Sequence, residues 1–383
     1  MHPATNKHGK SRHAHMPWKM KALVDDFFVK EISKEIEESE DGEYLWFRLR
    51  KKNWDFYKLL KVMARRLGVS IKRFGYAGVK DKFAVTDQLI SLWKGREEEV
   101  RKIRLRDVEF YGFRRASMPL SLGLLKGNQF KIVVRNIREK EIDKIGKNVE
   151  QAKKEGVLNL YGEQRFGSKR YVNAKVGYLI VKGKVKDAVI TYLTETGASE
   201  PKETREARML LKNELDFRKA LKIFPKHLKY ELAILNHLAR YENDYVGALR
   251  ALPKYLRKMF VHAYQTELWN KIAKKAHSVA AHNIKIPIIG YETNLSKYKE
   301  IEGIVRDVMG EEGIGAASFK INQIPELSSK GDERYMLVFP KGIKFSVGED
   351  ELNDGMLKAI FEFYAPKGSY GTVIVQQFMK NVA

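Results

Sequence analysis

The stretch Phe74–Gln88, FGYAGVKDKFAVTDQ, gathers two glycines, a Lys-Asp-Lys triplet and a terminal Thr-Asp-Gln. Gly75 and Gly78 permit tight backbone turns. Asp81 stands between Lys80 and Lys82, and two flanking ammonium groups favour its carboxylate form. An ionised carboxylate can act as nucleophile or general base, and lysines beside it can meet phosphates. The same residues also fit a solvated loop in which Asp81 caps a turn. On residue type alone, Asp25 and Asp87 are equally good candidates.

A second constellation is NLYGEQRFGSKRY, Asn159–Tyr171. Asn159, Tyr161, Arg165, Phe166, Lys169 and Arg170 offer an amide, aromatic faces and cations. Aromatic rings stack on bases, and Arg and Lys hold phosphates. A loop with core aromatics would read the same way. A third is the basic series RKIRLRD, GFRRAS with Arg114 and Arg115, and LLKGNQFK with Lys126. It makes a phosphate track or a solvated strand face. GxxxxGK[ST], GxGxxG and HExxH patterns are absent, and the nine histidines are scattered. Nothing in the sequence calls for ATP, NAD or a metal.

The 72 Lys and Arg against 48 Asp and Glu give a net charge of +24, which favours a polyanionic partner. A membrane surface is the rival reading, yet no apolar run is long enough for a transmembrane helix. The absence of cysteine excludes disulfides, thiolate metal sites and thiol nucleophiles. Residues 1–20, with His8, His13 and His15, lack the apolar centre of a signal peptide and are expected to form a flexible basic tail.

These residues need elements to position them. DDFFVKEI and EYLWFRLR read as strands, and the Asp41-Gly42 turn between them predicts antiparallel neighbours. NWDFYKLLKVMARRLG carries apolar residues at helical spacing, with Asn53 or Asp55 as cap and Gly68 as stop. AVTDQLISLW and IRLRDVEFYGF read as strands. LSLGLLKGNQFKIVVRNI reads as strand material broken by a turn at Gly127-Asn128. KEIDKIGKNVEQAKKEG is an amphipathic helix. From about Arg170 the periodicity becomes helical, with the longest helix near Tyr255–Ala276. The final runs RYMLVFPKG, MLKAIFEFYAPKG and YGTVIVQQFM return to β character. The expectation is an α+β sheet domain from 21–170 plus 336–383, with a helix-rich domain, 171–335, inserted in it.

GYAGVKDKFAVTDQ resembles the signature of the TruD family of tRNA pseudouridine synthases. DDFFVKEI, LSLGLLKGNQFKIVVRN, NLYGEQRFG, YQTELWN and APKGSYGTVIVQQF resemble further motifs of that family, in its order and over most of the chain. The resemblance implies a pseudouridine-synthase domain on a mixed, largely antiparallel sheet, with a TRUD domain inserted. It implies Asp81 as the catalytic residue, with Lys80, Gly78, Asn159 and Tyr161 in support. Lys82, Arg165, Phe166, Lys169, Arg170, Arg114, Arg115 and Lys126 would then meet RNA. Leu158 and Leu160 depart from the proline and aromatic often found there. The implied reaction turns a flipped-out uridine of tRNA, commonly at position 13, into pseudouridine without cofactor or metal. A cytoplasmic monomer with tRNA as partner, and no membrane or nucleotide cofactor, is expected. The alternative is a non-catalytic RNA- or DNA-binding protein, which charge alone supports.

Overall fold

The two N-terminal β runs are strands, but they are not neighbours. In the computed structural model, which describes residues 18–162 and 170–382, the chain divides into two compact units. One runs up to Val157 and resumes at Phe339; the other is Leu158–Val338. The first boundary thus precedes Arg170, because Asn159 and Tyr161 already hydrogen-bond within the second unit.

The first unit is built on one sheet. Its strands are β1 (Lys19–Met20), β2 (Phe27–Ser33), β3 (Tyr44–Lys52), β4 (Phe74–Tyr76), β5 (Val85–Trp93), β6 (Val108–Ala116), β7 (Leu125–Ile137), β8 (Lys341–Glu349) and β9 (Leu357–Pro366). The order is β8-β9-β7-β2-β5-β3-β6, with β1 on β7 and β4 on β5. Among the described residues the β2–β5 pair is parallel and the rest are antiparallel. β5 therefore separates β2 from β3. The Asp41-Gly42 turn reverses the chain without making a hairpin of these two.

Two further expectations give way to packing. Gly127-Asn128 is no turn but lies inside β7, where Gly127 faces Pro366 of β9. A Cβ on Gly127 would stand 2.3 Å from the Ala365 carbonyl oxygen, so glycine serves a close strand approach. YGTVIVQQFM is a helix, Gly371–Phe378, rather than a strand. Its Val-Ile-Val run suggests β structure, but Phe378 packs 5.3 Å from Phe361 and 5.9 Å from Phe363 on β9. Tertiary contact overrides the local preference. Residues 18–20 also leave the expected tail: Trp18 is buried and β1 pairs with β7.

Helix α1 (Phe56–Arg66) follows its pattern. Asp55 caps it by accepting from the Lys58 amide at 2.8 Å. Phe56, Leu59, Leu60 and Met63 pack on Leu45, Phe47, Leu49, Ile90 and Leu92 of the sheet. Two more helices, α2 (Glu97–Arg101) and α3 (Ile142–Glu155), complete this part of the unit.

Strand alternation decides what lies beyond α1's cover. Leu49 faces Gln88, Lys51 faces Thr86, Val29 pairs with Thr86, and Glu31 faces Asn128. Lys51, Thr86, Gln88, Glu31 and Asn128 therefore form a polar belt on the face that α1 covers with apolar side chains.

The second unit is mostly helical: α4 (Val172–Val181), α5 (Val185–Thr194), α6 (Lys202–Glu214), α7 (Phe217–Ile223), α8 (Lys229–Arg240), α9 (Tyr245–Arg250), α10 (Lys254–Ala276) and α11 (Glu302–Glu311). A small antiparallel sheet joins Lys285–Ile288 to Asp332–Tyr335. α10 is its central element, with Phe260, Tyr264, Leu268 and Trp269 buried.

One buried ion cluster ties the first unit together. Arg135 on β7 donates to Asp26 at 2.8 Å and to Asp350 at 2.9 Å, and all three side chains are buried. Hydrogen bonds to Asp26 first, then Glu351 and Asp350, hold the Arg135 guanidinium firmly in its charged form. Removing the cation strands two buried carboxylates, which costs about 3–5 kcal/mol. Arg135→Met should therefore lower the denaturant midpoint with an unchanged slope; a loss below about 1 kcal/mol would refute the clamp.

Candidate active site

Asp81 occupies an irregular loop between β4 and β5. β4 brings the chain in tightly: a Cβ on Gly75 would meet Ser91 Oγ at 2.4 Å and the Leu120 carbonyl oxygen at 2.6 Å. Gly75 thus serves close approach rather than a turn. The loop then crosses the polar belt and is fastened to it from below. Gln88 Nε2 donates to the Gly78 carbonyl at 3.1 Å. Lys51 Nζ donates to the Asp81 carbonyl at 2.8 Å. Lys80 Nζ pairs with Glu31 at 2.7 Å, with side-chain exposures of only 8% and 0%.

The Asp81 carboxylate faces the other way and is 40% exposed. Its cation is Lys21, whose Nζ lies 2.5 Å from Oδ2 and 3.8 Å from the Phe27 ring centroid. The flanking lysines are therefore not its partners. Lys80 turns inward to neutralise Glu31, and Lys82 is exposed. Lys21 has φ +60°, a left-handed conformation unusual for a lysine. The turn after it is fixed by Asp26, which accepts from the Leu23 amide at 2.8 Å and is clamped by Arg135.

The other two aspartates are otherwise engaged. Asp25 pairs with Lys52 at 2.6 Å on the surface. Asp87 is buried, accepts from Arg48 Nε at 2.6 Å, and also accepts from the Tyr111 hydroxyl.

In the second unit, the Asn159 amide donates to the Met336 carbonyl at 2.8 Å. Its side-chain oxygen and its carbonyl both accept from Arg334. The Tyr161 amide donates to Asn270 Oδ1 at 2.9 Å, and Asn270 Nδ2 donates back to the Tyr161 carbonyl at 3.0 Å. The Tyr161 ring is 8% exposed, with the Arg334 guanidinium 4.2 Å from its centroid and Trp269 edge-on at 5.5 Å. YQTELWN lies on α10 and supplies both Trp269 and Asn270, so its role is to seat the Asn159–Tyr161 segment.

Arg165, Phe166 and Lys169 lie outside the described residues. Arg170 leaves the surface set: its side chain is only 11% exposed and its guanidinium donates to the Tyr192 carbonyl at 2.7 Å and to Glu231 at 3.1 Å. Arg115 is also committed, to the Gly42 carbonyl at 3.1 Å and more loosely to Gly95. Arg114 lies over Trp46, 5.7 Å from its ring, and Lys126 is exposed. Lys21, Lys51, Glu31, Arg334 and Asn270 were not singled out from the sequence. Glu31 and Asn270 nevertheless lay within quoted family motifs, DDFFVKEI and YQTELWN.

The family model described as tRNA pseudouridine synthase D (TruD) matches residues 12–281 and 272–378. A probable tRNA pseudouridine synthase D of Methanosarcina mazei is 37% identical over 93% of this chain and 92% of its own length. That of Pyrococcus abyssi is 30% identical, covering 95% and 96%. A crystal structure titled as the putative TruD of Methanosarcina mazei superposes with a TM-score of 0.80 at 35% identity, over 95% of this chain and 94% of that one. These matches define the class, the tRNA pseudouridine synthases, which are isomerases. Within it, the chain belongs to the TruD family.

Burial lowers the Lys51 ammonium from its usual 10.5 to about 8, against the opposing pull of Asp81. The unfolded chain keeps this proton up to about pH 10.5. Between about pH 8 and 10.5 the unfolded state therefore binds more protons, and this group's contribution to stability rises with pH. Below pH 8 the burial penalty is present in full. Lys51→Met should lack that alkaline gain, seen as diverging stability–pH curves from urea unfolding. Parallel curves across pH 8–10.5 would contradict it.

Proposed function

We propose that Asp81 is the residue on which this chain isomerises uridine to pseudouridine in tRNA. The first unit would be the pseudouridine-synthase domain, and the helical second unit the TRUD insertion. One observation carries the reading: the family-motif aspartate presents a 40% exposed carboxylate, paired with Lys21, from a loop whose backbone is fastened by Lys51 and Gln88. A carboxylate presented this way is available to the ribose of a base drawn out of its stack.

The chemistry breaks the N1–C1′ bond of uridine, reorients the uracil and forms a C5–C1′ bond. The C5 proton leaves and N1 takes one up, so atoms and electrons balance without an oxidant. Asp81 promotes the cleavage, while Lys21 fixes the direction of its carboxylate. Lys51, Lys80 and Gln88 hold the loop backbone so that little reorganisation accompanies the reaction. Asn159 and Tyr161 have the supporting role that the family resemblance implies, and within their own unit Arg334 and Asn270 orient them. Lys82, Arg114, Lys126, Arg165, Phe166 and Lys169 contribute RNA contacts. The target is the uridine at position 13, and the enzyme works as a cytoplasmic monomer. Among the described residues, no helix is long and apolar enough to cross a membrane.

Asp81→Asn and Asp81→Ala should remove pseudouridine formation on an unmodified tRNA transcript, read by carbodiimide mapping, while folding and tRNA affinity persist. Near-wild-type turnover by either would sink the assignment and favour a binding protein. Tyr161→Leu should lower the single-turnover rate about tenfold or more with a smaller change in affinity, because phosphate contacts dominate binding. If affinity falls and the rate at saturation does not, Tyr161 only docks RNA.

A further inference from the structure

The second unit carries a patch that the reaction at Asp81 does not use. Tyr230, in the first turn of α8, and Tyr255, in the first turn of α10, meet hydroxyl to hydroxyl at 2.7 Å. Both rings stand in solvent, Tyr230 39% and Tyr255 66% exposed. One hydroxyl proton is consumed within the pair, which leaves the other free to point outward. The contact brings two helix starts together. Neither α8 nor α10 has a side-chain N-cap, so first-turn amides of both remain as donors.

The surroundings are basic. Lys226 lies in the turn before α8, and Lys229 opens that helix; Lys254 opens α10, with Lys258 one turn on from Tyr255. All four are exposed, and none is in an ion pair among the described residues. The neighbouring acid, Glu231, is buried and taken by Arg170 at 3.1 Å and Arg208 at 2.7 Å. No exposed carboxylate in these two segments offsets the four lysines. Arg170, the last but one residue of the Asn159–Tyr171 motif, thus reaches the residue that follows Tyr230 in the chain.

We infer that the Tyr230–Tyr255 pair, with Lys226, Lys229, Lys254 and Lys258, is a docking patch for the phosphodiester backbone of the RNA substrate. This rests on the reading of the chain as a tRNA-modifying enzyme. Four unpaired ammonium groups match phosphate charge, two uncapped helix starts add oriented amides, and the outward hydroxyl donates to a phosphate oxygen. As a grip on phosphates it acts on affinity and not on the chemical step.

The test uses the full chain, an unmodified tRNA transcript and three double variants that retain the wild-type unfolding curve. Lys229→Glu with Lys254→Glu should weaken binding about tenfold or more at low salt and flatten the salt dependence by about two phosphate contacts. Tyr230→Phe with Tyr255→Phe keeps the rings and should weaken binding about threefold. Lys144→Glu with Lys147→Glu, an equal charge change on α3, should cost less than the patch variant. Single-turnover pseudouridine formation at saturating RNA should hold in the patch variants. Equal losses in the α3 and patch variants, or a lost saturated rate with unchanged affinity, would overturn the patch. A wild type that binds tRNA but forms no pseudouridine would overturn the proposed activity instead, leaving the binding comparison intact.

Discussion

An ammonium group buried on a carbonyl sets the terms for the first unit. Taking Lys51 out of water is costly, and its hydrogen bond goes to the Asp81 backbone rather than to a carboxylate. That arrangement is tolerable only where the sheet already offers polar company. The belt formed by Lys51, Thr86, Gln88, Glu31 and Asn128 provides it, at the point where α1 stops covering the sheet. The loop is thereby held through its main chain. Its one acidic side chain of interest is left to face outward and find Lys21.

A second tier of contacts stands behind Lys21. Arg135 grips Asp26, Asp26 fixes the Leu23 amide, and that turn follows the lysine that meets Asp81. The helical unit uses the same logic with different chemistry. Asn270 on α10 exchanges two hydrogen bonds with the main chain of Tyr161, and Arg334 does the same service for Asn159. In both units the motif residues are oriented by side chains that arrive from far along the chain.

That separation explains what could be read from the sequence. α1, α3 and α10 were legible because their apolar periodicity is local, as is the Asp55 cap of α1. The motifs were legible as contiguous strings, and their order identified the family. The neighbours of Asp81 were not. Adjacent lysines look like its natural partners, but strand geometry turns Lys80 toward Glu31, and Lys21 comes from sixty positions away. Gly127-Asn128 failed for the same reason, since a glycine demanded by a neighbouring strand looks like a turn glycine. The Val-Ile-Val of the C-terminal helix shows propensity yielding to the aromatic surface of β9.

The clamp around Arg135 has a consequence for how the protein is made. Its partners Asp26 and Asp350 stand near opposite ends of the chain, and β9 completes the sheet only beside β7. On the ribosome, the helical unit emerges whole after Asp26 but before Asp350 and β9 can arrive. It is free to fold first, as a contiguous segment, while β1–β7 wait with an open strand edge. The first unit matures only once residues 341–366 have followed, so a message truncated before them yields a well-formed insertion attached to an unfinished host.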